Sequence, residues 1–228
     1  MLTSTAVSTA SSAQAWTGSK PAPVETHALL GSIELIGVPM PFARNEEIYG
    51  EGEPADYVYK VMSGAVRTYK VLNDGRRQIS AFHLPGDIFG LEAGDDHTFS
   101  AEAISQTTVL FIKRSTVTAL AAKDSNVARQ LWNLTACELQ RMQDHVMLLI
   151  KSAQERVVSF LLQMARRIPG ANEIELPMSR QDIADYLGLT IETVSRTLTQ
   201  LETRATISLP SSRRIVLRNR SVLNRMNA

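Results

Sequence analysis

Three side chains in the last quarter of the chain, Glu192, Ser195 and Arg196, stand three and four residues apart in the run Ile191-Glu192-Thr193-Val194-Ser195-Arg196-Thr197-Leu198. On a helix that spacing gathers them on adjoining turns of one face, with Thr199 in the same row. A guanidinium can donate two parallel hydrogen bonds to guanine O6 and N7, and a carboxylate can accept from cytosine N4, so Arg196 and Glu192 suit a G·C pair between them. Ser195 suits a phosphate or a neighbouring base. The plain alternative is a solvated i,i+4 ion pair between Glu192 and Arg196, worth roughly a few tenths of a kcal/mol.

The elements that must present this face are written around it. Ser179 with Asp182 three residues on is an acidic variant of the capping box, so a helix is expected to open there. Ile183, Ala184 and Leu187 then share one face, Gly188 supplies a turn that tolerates positive φ, and Thr190 caps a second helix. Val194, Leu198 and Leu201 form the inner stripe of that helix, leaving its other side for a major groove. Downstream, Ile207-Ser208-Leu209, then Pro210-Ser211-Ser212-Arg213, then Arg214-Ile215-Val216-Leu217 predicts strand, turn and strand, a wing beside a helix-turn-helix. No acidic residue follows Glu202, whereas Arg204, Arg213, Arg214, Arg218, Arg220 and Arg225 do. Ser179, Thr190, Thr193, Thr199, Arg213 and Arg214 are therefore the expected contacts to the DNA backbone.

Charge supports that placement. The 228 residues carry a net charge of +1, but residues 151–228 hold 12 basic against 7 acidic side chains and residues 1–150 hold 12 against 16. No run approaches the 18 or so apolar residues of a membrane span, and no basic-then-apolar leader opens the chain, so a cytoplasmic protein is expected. The single cysteine, Cys137, excludes an intrachain disulfide and a cysteine-ligated iron–sulfur cluster within one chain. It falls on a predicted helix, where a cysteine is ordinarily a small buried hydrophobe; it is also the one candidate redox site. The four histidines, at 27, 83, 97 and 145, have no metal-ligand spacing. A haem iron would have to use His83 or His97, and a lone histidine in a β-roll is more often structural. No catalytic residue, metal or cofactor is expected.

The remaining chain divides by texture. Residues 1–26, rich in Ser, Thr, Ala and Pro, predict a disordered tail. Residues 27–115 predict a compact antiparallel β-roll: short β-rich runs broken by Gly52, Gly64, Gly75 and Gly86, a hairpin signal at Asn73-Asp74-Gly75, and later strands over 99–104 and 107–113. Residues 116–150 predict a dimerisation helix, regular from about 124 to 149. Trp132, Thr135, Leu139, Met142, Val146 and Leu149 form a three-four seam suited to a second copy of the chain. Leu131, Leu134 and Leu148 form a second line that would pack on the chain's own β-domain. A single buried helix in a monomer is the alternative, but two apolar lines need two covering surfaces. Residues 151–228 complete a winged helix-turn-helix, so the fold class is α+β.

Roll, long helix and winged reader together resemble the bacterial CRP/FNR transcription regulators over about residues 28–220. The resemblance is specific at Pro85-Gly86-Asp87-Ile88-Phe89-Gly90, at Met178-Ser179-Arg180-Gln181-Asp182-Ile183-Ala184-Asp185-Tyr186-Leu187-Gly188 and at Glu192-Thr193-Val194-Ser195-Arg196. Glu-x-x-Ser-Arg looks like the FNR and FixK branch. It implies a homodimer on a TTGA…TCAA palindrome, with Arg196 on the guanine, Glu192 on its cytosine and Ser195 beside a thymine. It implies activation in oxygen-limited respiration or nitrogen fixation, by contacts to RNA polymerase at residues 73–77 and 168–172. Members that bind cyclic AMP carry an arginine where Phe99 stands here, and a phenyl ring cannot clamp a phosphate. A regulator gated by another ligand or by redox chemistry, a cupin-like β-barrel and a protein-only dimeric scaffold are the alternatives. Ala205 stands where many relatives place glycine before the wing.

Overall fold

A computed structural model describes residues 36–148, 150–168, 170 and 172–227. The expected tail over 1–26 and the seam residue Leu149 lie outside the described residues.

The roll is two four-stranded antiparallel sheets laid face to face. One has the order β1(Val38–Phe42), β8(Thr107–Lys113), β3(Tyr57–Ser63), β6(Ile88–Phe89); the other β2(Glu47–Tyr49), β7(Ser100–Ala103), β4(Val66–Val71), β5(Arg77–His83). Alternation along the strands sends Val61, Val66, Ala101, Ala103 and Val109, all fully buried, into the space between. At the β3–β4 turn Gly64 has φ 80°, and a Cβ there would lie 2.5 Å from the Gln106 carbonyl oxygen, so only glycine fits. The β4–β5 hairpin turns at Gly75, whose amide donates to the Leu72 carbonyl oxygen.

Residues 116–150 do not form one helix. α1(Arg114–Lys123) ends at Asp124, which has an extended backbone, and α2(Ser125–Leu148) starts afresh. Leu131 and Leu134 pack against the roll cluster of Val58, Ile88, Leu110 and Ile112, as the second apolar line predicts. Leu148 joins a second core. This core joins roll residues Ile79, Phe82, Leu84 and Ile104 to Phe160, Leu161, Leu198 and Leu201 of the C-terminal part. The roll and the reader therefore share one apolar interior.

The C-terminal part runs α3(Ala153–Arg167), β9(Glu173–Glu175), α4(Arg180–Leu187), α5(Ile191–Thr203), β10(Ile207–Ser208), β11(Arg214–Leu217) and α6(Arg220–Met226). Each of the first three helices is capped by its own sequence. Ser152 and Glu155 form a full capping box on α3, Ser179 and Asp182 one on α4, and the Thr190 hydroxyl accepts from the Thr193 amide on α5. Such caps contribute about 1 kcal/mol each. Between α4 and α5 the chain reverses at Gly188, φ 62°. The wing has one strand more than the sequence predicts, because β9 pairs with β11 to give the order β10-β11-β9. Ala205, before β10, takes φ 53°, the left-handed conformation that favours glycine.

Candidate nucleic-acid interface

The second helix of the pair, α5, buries Val194, Thr197, Leu198 and Leu201 against the body and turns the opposite side outward. Glu192, Arg196 and Thr199 are exposed and Ser195 is half-buried, so the four side chains form one outward surface. Glu192 does not depend on Arg196 for its charge. Its own backbone amide and the Thr190 hydroxyl hold its carboxyl below the usual range, and Arg196 is the weakest of the influences on it. Both side chains are exposed on the same outward surface of the helix.

The residues expected on the DNA backbone lie at three places. Thr193 and Thr199 line the same helix, Thr199 donating back to the Ser195 carbonyl oxygen and Thr193 sharing a hydroxyl contact with Thr190 at 3.1 Å. Ser179 is more committed. Its hydroxyl accepts from the Asp182 amide at 3.1 Å and donates to the Asp182 carboxylate at 2.7 Å, leaving little for a phosphate. On the wing, Arg213 is half-buried, and the exposed Arg214 pairs with Glu173 of β9. The sequence analysis gives Arg214 to a phosphate and foresees no protein partner for it, because Glu173 lies 41 residues away on a strand not predicted there.

One residue near the reading face was missed. Arg180, at the start of α4, reaches across to α5 and donates from its guanidinium to the Ser195 hydroxyl at 3.4 Å, while its Nε is buried without a hydrogen-bond partner. It lies inside the motif run quoted above, and the signal available was its arginine type one residue after the cap.

The seam on α2 is open in the single chain. Trp132 is 74% exposed and Val146 56%, with Thr135, Leu139 and Met142 exposed along the same side. Trp132 and Val146 are hard to explain on a solvated helix and easy on a paired one. Cys137 overturns its bland expectation: it is exposed on α2 rather than buried. That residue falls on neither of the two apolar lines of the helix.

Between the roll and α2 lies a cavity of about 340 Å³, lined among others by Thr68, His83, Phe89, Phe99, Leu139 and Met142. Its lining holds no arginine or lysine among the described residues. Lys70 sits 5.9 Å from the centre of the Phe99 ring. Glu92 accepts from the Thr98 amide and hydroxyl. His83 stacks on Phe89 and contacts the Thr68 hydroxyl through Nε2 at 3.2 Å, and His97 stacks on Tyr49 with ring centres 3.6 Å apart. Both imidazoles are packed among aromatic rings as parts of the core. Among the described residues no group of three or more His, Cys, Asp or Glu side chains could hold a metal, and no helix is long and apolar enough to cross a membrane.

Comparison with known proteins places these observations in a family context. Residues 39–124 match the cyclic nucleotide-binding domain family, and residues 155–226 match the Crp-like helix-turn-helix domain family. The nitrogen fixation regulation protein FixK of Azorhizobium caulinodans is 55% identical over 202 residues, covering 86% of this chain and 82% of that protein. The FixK protein of Rhizobium meliloti is 46% identical over 170 residues, 74% of this chain and 77% of that one. Among solved structures, FixK2 from Bradyrhizobium japonicum superposes with a TM-score of 0.82 at 55% identity, covering 85% of this chain and 98% of the other.

Proposed function

The chain belongs to the CRP/FNR family of transcription regulators, among its nitrogen-fixation FixK members, and from that premise we propose that it works in the cytoplasm as a homodimer that reads a TTGA…TCAA palindrome and recruits RNA polymerase. It is a DNA-binding regulator of transcription and not an enzyme. The observation that carries the finer reading is the outward face of α5, where Glu192 and Arg196 are exposed and Ser195 lies half-buried between them. Arg196 takes the guanine edge, Glu192 its cytosine and Ser195 the adjoining thymine. Arg180 is added to the phosphate contacts beside Thr190, Thr193 and Thr199. Arg213 remains on the wing, and Arg214 reaches a phosphate only by exchanging Glu173 for it, so its share is smaller than its exposure suggests.

Dimerisation through Trp132, Thr135, Leu139, Met142, Val146 and Leu149 would set two such helices on successive major grooves, about 34 Å apart. Activation would use the hairpin tip at residues 73–77 and the segment over 168–172, of which residues 169 and 171 lie outside the described residues. With a phenyl ring at Phe99 and a cavity wall that holds no arginine or lysine among the described residues, the roll serves as scaffold rather than as a cyclic-nucleotide sensor.

Fluorescence anisotropy on a labelled palindrome tests the proposal. The expected outcome is tight, salt-dependent binding that weakens by several orders of magnitude on scrambled duplex. Equal affinity for both sequences would leave a non-specific binder and end the proposal.

A further inference from the structure

The apolar centre of the contact between roll and reader is aromatic. Phe82 of β5 sits 6.2 Å from Phe160 of α3 and 5.2 Å from Tyr186 of α4, measured between ring centres. Charged groups flank it on two sides. On one, Asp87 of the Pro-Gly-Asp turn accepts from Arg141 of α2 and Arg167 of α3, tying three elements at one carboxylate. On the other, Arg67 of β4 and Arg77 of β5 both donate to the same Asp182 oxygen, at 2.8 and 2.7 Å, and Arg77 also holds Asp185 at 2.9 Å.

Asp182 has two roles at once. Its second oxygen accepts from the Ser179 amide and hydroxyl, so it completes the cap of α4 while its first oxygen is held by the roll. Burial pushes this carboxyl up, but the Ser179 hydrogen bonds and the Arg67 and Arg77 guanidinium groups outweigh that and keep it charged. Arg67 is itself 7% exposed and anchored by Glu102 at 2.8 Å. The grip falls on α4, the helix packed directly against the recognition helix.

We propose that Arg67 and Arg77 are positioning residues for DNA reading: without touching DNA, they lock α4 to the roll through Asp182 and Asp185, so that the two recognition helices of a dimer keep the separation of an operator's half-sites with no effector bound. This inference rests on the dimeric-reader proposal above. Two readers held rigidly gain a high effective concentration for the second half-site only when its spacing matches. Loosening the lock lowers that gain and widens the tolerated spacing, whereas a cluster that merely stabilised the fold would weaken every duplex alike.

The test uses the full chain and four duplexes: the palindrome, the same with one base pair inserted at its centre, the same with one removed, and a single half-site. Arg77→Gln should lose about tenfold or more on the palindrome, keep its half-site affinity within about twofold, and discriminate less between spacings. Arg77→Lys, which retains the charge, should recover most of the loss. Asp185→Asn, made from the opposite side of the contact, should show the same pattern, and the double variant should lose less than the two single losses multiplied together. Unchanged spacing preference in Arg77→Gln, an equal loss on half-site and palindrome, or fully multiplicative losses in the double variant would each overturn the inference. Wild-type protein indifferent to the palindrome would instead overturn the dimeric-reader proposal, and this inference with it.

Discussion

Replacing Arg196 by alanine removes a bidentate donor from an exposed helix face without opening a cavity, so the fold should be untouched. The expected cost is about 1 to 3 kcal/mol on the palindrome with little change on random DNA, read by competition anisotropy. Equal losses on both would reduce Arg196 to a phosphate contact. A second single-residue effect lies in the roll. Burial lowers the His83 pKa from 6.5 to about 4, Arg167 and Arg141 acting in the same direction and Asp87 opposing them. Between those values only the unfolded chain takes up the proton, so stability is full above pH 6.5 and is lost as pH falls toward 4. The slope is about 1.4 kcal/mol per pH unit at most, on the order of 3 kcal/mol in all. Urea denaturation at pH 7 and pH 4.5 should show this loss in the wild type and a clearly smaller one in His83→Gln. An unchanged pH dependence in the variant would assign the effect elsewhere.

At the scale of elements, the local chemistry was legible and the long-range chemistry was not. Ser179 with Asp182, Gly188 and Thr190 mark the helix-turn-helix because each satisfies backbone groups or a dihedral angle within four residues of itself. The inner stripe Val194, Leu198, Leu201 and the strand over 107–113 follow from periodicity alone. By contrast, the partner of Arg214 is 41 residues away and that of Arg67 is 115 away, and no spacing rule spans such distances. The strand β9 was missed because three residues, Glu173–Glu175, carry too little alternation to be read. Cys137 was misjudged because the helix has two apolar lines and the thiol falls on neither. Ala205 carries a prediction at this scale. Its φ of 53° costs an alanine about 1 kcal/mol that glycine would not pay. Ala205→Gly should therefore raise stability by about 0.5 to 1 kcal/mol in thermal unfolding, and a lowered melting temperature would contradict the strain.

For the whole molecule, the exposed seam on α2 is the decisive surface. Leu139 is 59% exposed in the single chain, so Leu139→Asp should leave the protomer folded while placing a charge in the interface proposed above. Sedimentation should then report a monomer, and affinity for the palindrome should fall about a hundredfold or more, toward that of a half-site. A variant that stays dimeric would move the interface away from this seam. The continuous interior from Ile79 and Phe82 to Leu198 and Leu201 has a separate consequence for how the protein unfolds. Because strand and reader helix contribute to one apolar cluster, the two are expected to unfold in a single transition. Limited proteolysis should then release neither a folded roll nor a folded reader fragment by itself.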